Sequence, residues 1–175
     1  MIDFSRNHFQ LFALPERYSV DASALDAAYR ALQTEVHPDR FAAAPDADKR
    51  LALQASARVN EAYRALKDPV QRAQYLLRLN GVEAVGETDT QLPLDFLERQ
   101  LERREEASDA LANEDERTLA SLCVSVRAEA KALEDELAGD LDAGRDYAQA
   151  RSRVRELTFL AKLADDIDAM AASLD

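Results

Sequence analysis

Apolar side chains recur along this chain at intervals of three and four, the repeat of a helix with one buried face. Leu25, Tyr29, Leu32 and Val36 make one such row, and Ala52, Ala55, Val59, Ala62 and Leu66 a second. Three more follow in the second half. One holds Leu94, Leu97, Leu101, Ser108 and Leu111; the next holds Leu119, Leu122, Val126, Leu133 and Leu137; the last holds Tyr147, Ala150, Val154, Leu157, Ala161 and Ala164. Alternating Val, Ile and Thr runs, which would mark strands, are absent. The glycines and prolines fall between the rows, where helices are punctuated. The pattern predicts an all-α chain of seven helices.

The punctuation sets expected limits. A first helix spans about Asn7 to Leu14 and stops before Pro15. A second follows Asp21, a good N-cap, and must end at His37 because Pro38 cannot continue it. A third runs from about Asp46 to Lys67. Asp68-Pro69 then opens a fourth, which closes at Asn80-Gly81. Residues 81–93 lack periodicity and hold Gly81, Gly86 and Pro93, so a linker is expected there, between an N-terminal unit (1–80) and a C-terminal unit (94–175). The sixth helix is expected to open on Asn113-x-x-Glu116, a capping-box pattern, and Gly139 and Gly144 to bracket the last turn. The C-terminal unit should be a three-helix bundle.

Composition narrows the chemistry. Apolar residues make up 47% of the chain, enough for a core. The net charge of −12 is one-sided: residues 1–85 hold 11 basic and 11 acidic side chains, residues 86–175 hold 11 and 23. Such an acidic half repels phosphate backbones and argues against nucleic acid as a partner. No apolar run of about 18 residues spans a membrane. The start lacks the pattern of a signal or transit peptide, so a cytoplasmic location is expected. Cys123 is the single cysteine and His8 and His37 the only histidines, too few for a disulfide framework or a tetrahedral zinc site. Cys123 lies within an apolar row and reads as a core side chain rather than a nucleophile. No metal, cofactor or catalytic set is indicated, and a protein-binding role is expected in place of an enzyme's.

His37-Pro38-Asp39 stands out at the end of the second helix. On its own it is a good turn: histidine suits a helix C-terminus, proline stops the helix and aspartate tolerates the bend. Its surroundings say more. Phe9, Leu11, Phe12, Leu14, Leu25, Tyr29 and Leu32 precede it, and Arg40-Phe41 and the run Val59-Asn60-Glu61-Ala62-Tyr63-Arg64-Ala65-Leu66-Lys67-Asp68-Pro69 follow. This stretch, about residues 5–79, resembles a J-domain, the helical hairpin that docks on DnaK-type chaperones. Phe9-Gln10-Leu11-Phe12-x-Leu14-Pro15-x-Arg17-Tyr18, Leu32-Gln33 and Arg72-Ala73-x-Tyr75-Leu76-Leu77 are similar to the HscB family, the J-type co-chaperones of iron–sulfur cluster assembly. In the second half Asp95-Phe96-Leu97, Gln100-Leu101-Glu102-x-Arg104-Glu105-Glu106 and Leu157-x-Phe159-Leu160-x-Lys162-Leu163 carry the same likeness.

The resemblance implies two attachment points. His37, Pro38 and Asp39, with Arg40 and Arg30 as nearby bases, would meet a DnaK-type, HscA-like chaperone and stimulate its ATPase. Leu97, Leu101, Glu102, Arg104, Glu105 and Phe159 would hold the IscU-like cluster scaffold. The competing reading is a general folding co-chaperone with broad clients. Two departures stand out: Arg30 is the only base on the second helix, against Asp26 and Glu35, and Glu98 replaces an apolar residue common in the client patch. The extra N-terminal cysteines of some eukaryotic relatives are absent, as in bacterial members. Phe159 lies about 200° round its helix from Leu157, off the predicted seam, so it either packs on a second face or stands exposed as an anchor.

Overall fold

Seven α-helices form among the described residues of the computed structural model, which are 2–83 and 92–174, and no strand is found there. They are α1 (His8–Leu11), α2 (Ala22–Val36), α3 (Asp46–Lys67), α4 (Pro69–Leu79), α5 (Leu94–Ala112), α6 (Glu116–Ala138) and α7 (Tyr147–Ala172). A 3-10 turn, Pro38–Phe41, and a π-helical turn, Gly139–Gly144, complete the list. The chain divides into two compact units, Met1–Leu76 and Leu77–Asp175. Residues 84–91, most of the expected linker, lie outside the described residues.

In the first unit α2 and α3 pair antiparallel, and a ladder of polar and aromatic contacts sets their register. At the end away from the connecting turn, Asp26 accepts hydrogen bonds from Tyr63 Oη (2.9 Å) and Lys67 Nζ (2.7 Å). In the middle, the Tyr29 and Tyr63 rings stack with centroids 4.0 Å apart. One step on, Tyr29 Oη donates to Asn60 Oδ1 (2.9 Å), and Gln33 Nε2 donates to both. Behind the ladder lie Leu25, Val36, Ala52, Ala55, Val59, Ala62 and Leu66, all buried. Small residues at 52, 55 and 62 let the two backbones approach.

The remaining walls come from α1 and α4. His8 stacks on Tyr75 (4.0 Å, 16°) and its backbone N–H donates to Tyr75 Oη (3.0 Å). Arg72 caps the end of α3 by donating to Leu66 O (2.7 Å), and its guanidinium lies 4.8 Å from the Tyr18 ring centroid. The first helix is shorter than expected. Asn7 and Gln10 cap it reciprocally, and Ala13 turns left-handed (φ 54°) before Pro15 is reached, so Leu14 N–H bonds back to Phe9 O. Phe9 and Phe12, three residues apart and so on one face, are both buried.

The second unit packs α5, α6 and α7 around Phe96, Ala107, Ala110, Leu119, Leu122, Cys123, Val126, Leu160, Leu163 and Ile167. Three expectations need correction. The row Leu94, Leu97, Leu101, Ser108 is not the buried face of α5: Phe96, Gln100, Ala107 and Ala110 are, and the leucines face out. The sequence row was read from the leucines because alanine and glutamine carry little apolar signal. On α7 the seam through Ala150, Val154 and Leu157 continues along Leu160, Leu163 and Ile167, leaving Tyr147 and Ala161 half-buried. Asn113 is the C-cap of α5, not the N-cap of α6, a role taken by Asp115, whose carboxylate accepts from Thr118 N–H. Glu114 is left-handed (φ 55°) and Asp115 N–H reaches Ala110 O, a Schellman-type turn. The turn between α6 and α7 spans Gly139–Gly144, as expected; Gly139 itself is helical (φ −61°), and the reversal falls at Arg145, left-handed at φ 50°.

A side chain at a left-handed position costs about 1–2 kcal/mol, and glycine returns part of this as lost chain entropy. Glu114→Gly should therefore raise stability by about 0.5–1 kcal/mol, read as a higher denaturant midpoint with unchanged slope. The hydrogen bonds from Lys67 and then Tyr63 hold the Asp26 carboxyl below its ordinary value of 3.8 and help hold Lys67 above 10.5. A depressed acid stabilises the fold above its unfolded pKa and loses this as pH falls through the lower folded one; the raised base is lost only as pH climbs past its folded value. Asp26→Asn should thus melt below the parent at neutral pH, the gap closing as pH drops below about 3.8. A gap independent of pH would refute the linkage.

Candidate functional site

The tip of the α2–α3 hairpin is built by its own backbone. His37 leaves helical geometry (φ −58°, ψ 128°) because Pro38 follows, and Pro38 is the first residue of the 3-10 turn. His37 Nδ1 accepts from Asp39 N–H (3.3 Å), and Arg40 N–H donates to His37 O (3.1 Å). Arg40 Nη1 then reaches back to Thr34 O (3.2 Å), filling one of the carbonyls that the end of α2 leaves open. The turn is held from inside, so its outward groups stay available. Asp39 is the most open of them, with its side chain 89% exposed. Its carboxylate sits 3.6 Å from His37 Nδ1; that nitrogen already accepts from the backbone, so the two acceptors make no hydrogen bond to each other.

The basic residues beside this tip play unequal parts. Arg40 is partly a structural brace. Arg30 is exposed on α2, and the acid that the sequence sets against it, Asp26, is taken up by Lys67 and Tyr63 on α3. Among the described contacts Lys49 pairs with Asp46 at 3.6 Å.

The second group of candidate residues lies in the other unit. Leu97 and Leu101, one helical turn apart on α5, are 39% and 59% exposed, with Leu94 beside them. Glu102 and Glu105 are exposed on the same helix. Phe159 on α7 answers the packing question both ways. It is half-buried against the core, meeting Phe96 edge-on at 5.8 Å and 81°, and keeps the rest of its surface open. Arg104 is tied to α7 by Asp166, Nη2 to Oδ2 2.8 Å. The sequence reading missed Asp166; no periodicity signals it, because it depends on α5 and α7 running parallel, which only tertiary structure fixes. Two contacts, Phe96–Phe159 and Arg104–Asp166, tie α5 to α7 along the stretch that carries these residues.

Cys123 belongs to neither group. It is buried, its Sγ donates to Asp168 Oδ1 (2.9 Å), and burial, helped by that carboxylate, pushes the thiol above its ordinary pKa. A thiol so held is a poor nucleophile. Among the described residues, no cluster of histidine, cysteine and carboxylate could hold a metal ion, and no helix is long and apolar enough to cross a membrane.

Residues 7–75 match the family model of the DnaJ domain, and residues 92–168 match that of the HSCB C-terminal oligomerisation domain. The chain is 46% identical to the co-chaperone protein HscB homologue of Burkholderia multivorans, over all of this chain and 99% of that one. Its fold superposes on chaperone HscB from Vibrio cholerae with a TM-score of 0.87 at 37% identity, covering 97% of this chain and all of the other. Human co-chaperone protein HscB gives 0.88 at 28% identity, covering 95% and 83%.

The geometry separates contact from support. Leu97→Ala and Leu101→Ala should change stability by no more than about 0.5 kcal/mol, as exposed positions do. Phe159→Ala should cost about 2 kcal/mol, part of the 3–5 typical of a fully buried phenylalanine. Chemical denaturation of the three single variants checks this ranking.

Proposed function

The chain belongs to the HscB family, the J-domain co-chaperones of iron–sulfur cluster assembly, and on that premise we propose how its two surfaces divide the work. A J-domain co-chaperone acts on a DnaK-type chaperone. The tip residues His37, Pro38 and Asp39, with Arg40 and Arg30, dock on an HscA-like member of that class and stimulate its ATP hydrolysis. The ATP and its chemistry belong to the partner, and the site of action is the cytoplasm. Leu97, Leu101, Glu102, Arg104, Glu105 and Phe159 hold an IscU-like scaffold. Carrying both attachments on one chain converts the meeting of scaffold and chaperone into a local event at raised effective concentration. Contact by the tip then favours the hydrolysed, tightly holding state.

The observation that carries this reading is the exposure of Leu97 and Leu101 on the face of α5 that flanks its core residues. Leucines left in water beside a half-buried aromatic have the make-up of a protein-binding anchor. Glu98, in place of an apolar neighbour, trims the apolar area of that patch and leaves Leu97, Leu101 and Phe159 as its centre.

The test is the ATPase rate of the HscA-like chaperone with scaffold and this protein added separately and together. The expected result is stimulation by each and more by both. His37→Gln or Asp39→Asn should abolish stimulation with the melting temperature unchanged, because these exposed side chains support little of the fold. Leu97→Ala, Leu101→Ala and Phe159→Ala combined should weaken scaffold binding by about 2 kcal/mol, roughly thirtyfold, while stimulation without scaffold survives. Calorimetry on the folded Leu97→Ala/Leu101→Ala double variant separates lost contact from lost stability. Unchanged affinity there removes the patch from the mechanism.

A further inference from the structure

Beside the His-Pro-Asp tip the first unit holds a cleft of about 420 Å3, walled by Ile2, Phe4, Val36, Phe41, Leu51, Ala52 and Ala55, with Glu35, Arg40 and Asp48 also lining it. Large apolar side chains at its mouth are open to water: Phe4 is 44% exposed and Leu51 36%. Four parts of the chain meet here: the N-terminal segment, the end of α2, the 3-10 turn and the start of α3. None of the residues that form its apolar wall is among the candidate contact residues.

We propose that this cleft receives an apolar side chain of the DnaK-type chaperone, one carried beside a basic residue. The inference rests on the reading that the tip docks on that chaperone, and it follows from proximity. Arg40 and Phe41 lie in the same turn as Asp39, and two residues of chain separate Asp39 from Phe41 by no more than about 7–8 Å. A protein interface of ordinary size buries about 800 Å2 on each side, a disc of roughly 16 Å radius. A chaperone seated on Asp39 therefore covers the mouth of the cleft. A covered apolar hollow left empty forfeits its packing contacts, and one filled with water lacks polar partners, so an apolar side chain is the stable occupant. The polar lining adds a sign. Asp48 contributes its carboxylate oxygens, whereas Arg40, the one base, donates to Thr34 O. A cation on the chaperone next to the inserted side chain complements them.

The experiment titrates the full chain against the chaperone ATPase and reads half-maximal concentration and maximal rate separately. Phe4→Ala/Leu51→Ala should raise the half-maximal concentration about tenfold and leave the maximal rate intact, because the tip that triggers hydrolysis is untouched. Leu53→Ala, on a 62% exposed leucine two residues along α3 and outside the cleft, should match the parent. A photo-crosslinking residue at position 51 should label the chaperone, and one at 53 should not, a readout independent of the double variant's stability. A double variant with the parent's half-maximal concentration, or equal labelling from 51 and 53, overturns the proposal even where His37→Gln abolishes stimulation. If His37→Gln stimulates like the parent, the docking reading itself fails and the cleft proposal falls with it.

Discussion

The antiparallel register of α2 and α3 is the constraint on which the rest of the first unit depends. It is held by polar groups, which is unusual work for a short hairpin. Apolar rows of alanine, valine and leucine slide against one another at small cost, since one methyl contact resembles the next. The Tyr29–Asn60, Tyr63–Asp26 and Lys67–Asp26 hydrogen bonds are satisfied in one register only. Because the tip joins the last turn of α2 to the approach of α3, any slip would be passed directly to His37 and Asp39. The ladder therefore positions residues it never touches.

Arg72 and Tyr75 extend the same logic to the far end of the hairpin. One guanidinium answers a terminal carbonyl of α3 and lies over Tyr18; one phenol accepts from the start of α1 while its ring stacks on His8. These side chains account physically for the family-like runs around Arg17-Tyr18 and Arg72-Ala73-x-Tyr75. They are ties between segments distant in sequence, and they leave the tip and the nearby cleft to face outward.

Helix number, the all-α class and the stop at Pro38 were legible in the sequence because they follow from local rules: a period of 3.6, a missing N–H and a few capping side chains. The errors came where tertiary geometry overrules local signals. Leu97 and Leu101 outweighed Ala107 and Ala110 in the periodicity of α5, yet close helix packing needs the alanines and sends the leucines out. Asn113 and Glu116 spell a capping box, but the Schellman closure at Glu114 uses Asn113 to end the previous helix. The candidate residues His37, Pro38 and Asp39 are adjacent in sequence and needed no fold to be found together. Asp166 is 62 residues from Arg104, and nothing short of the helix packing links the two.

Phe159 touches the core through Phe96 and the solvent through its remaining surface, so it belongs to two equilibria at once. A partner that seats on it binds the folded bundle and has no equal site on the unfolded chain. By mass action such a partner at a hundred times its dissociation constant adds about 2.7 kcal/mol to the stability of the bundle. The same contact works in reverse: a bundle loosened around Phe96 presents its anchor less often, and apparent affinity falls by the fraction of molecules so loosened. On the proposed reading of Phe159 as a client anchor, selection on binding would also be selection on the packing of the three helices behind it.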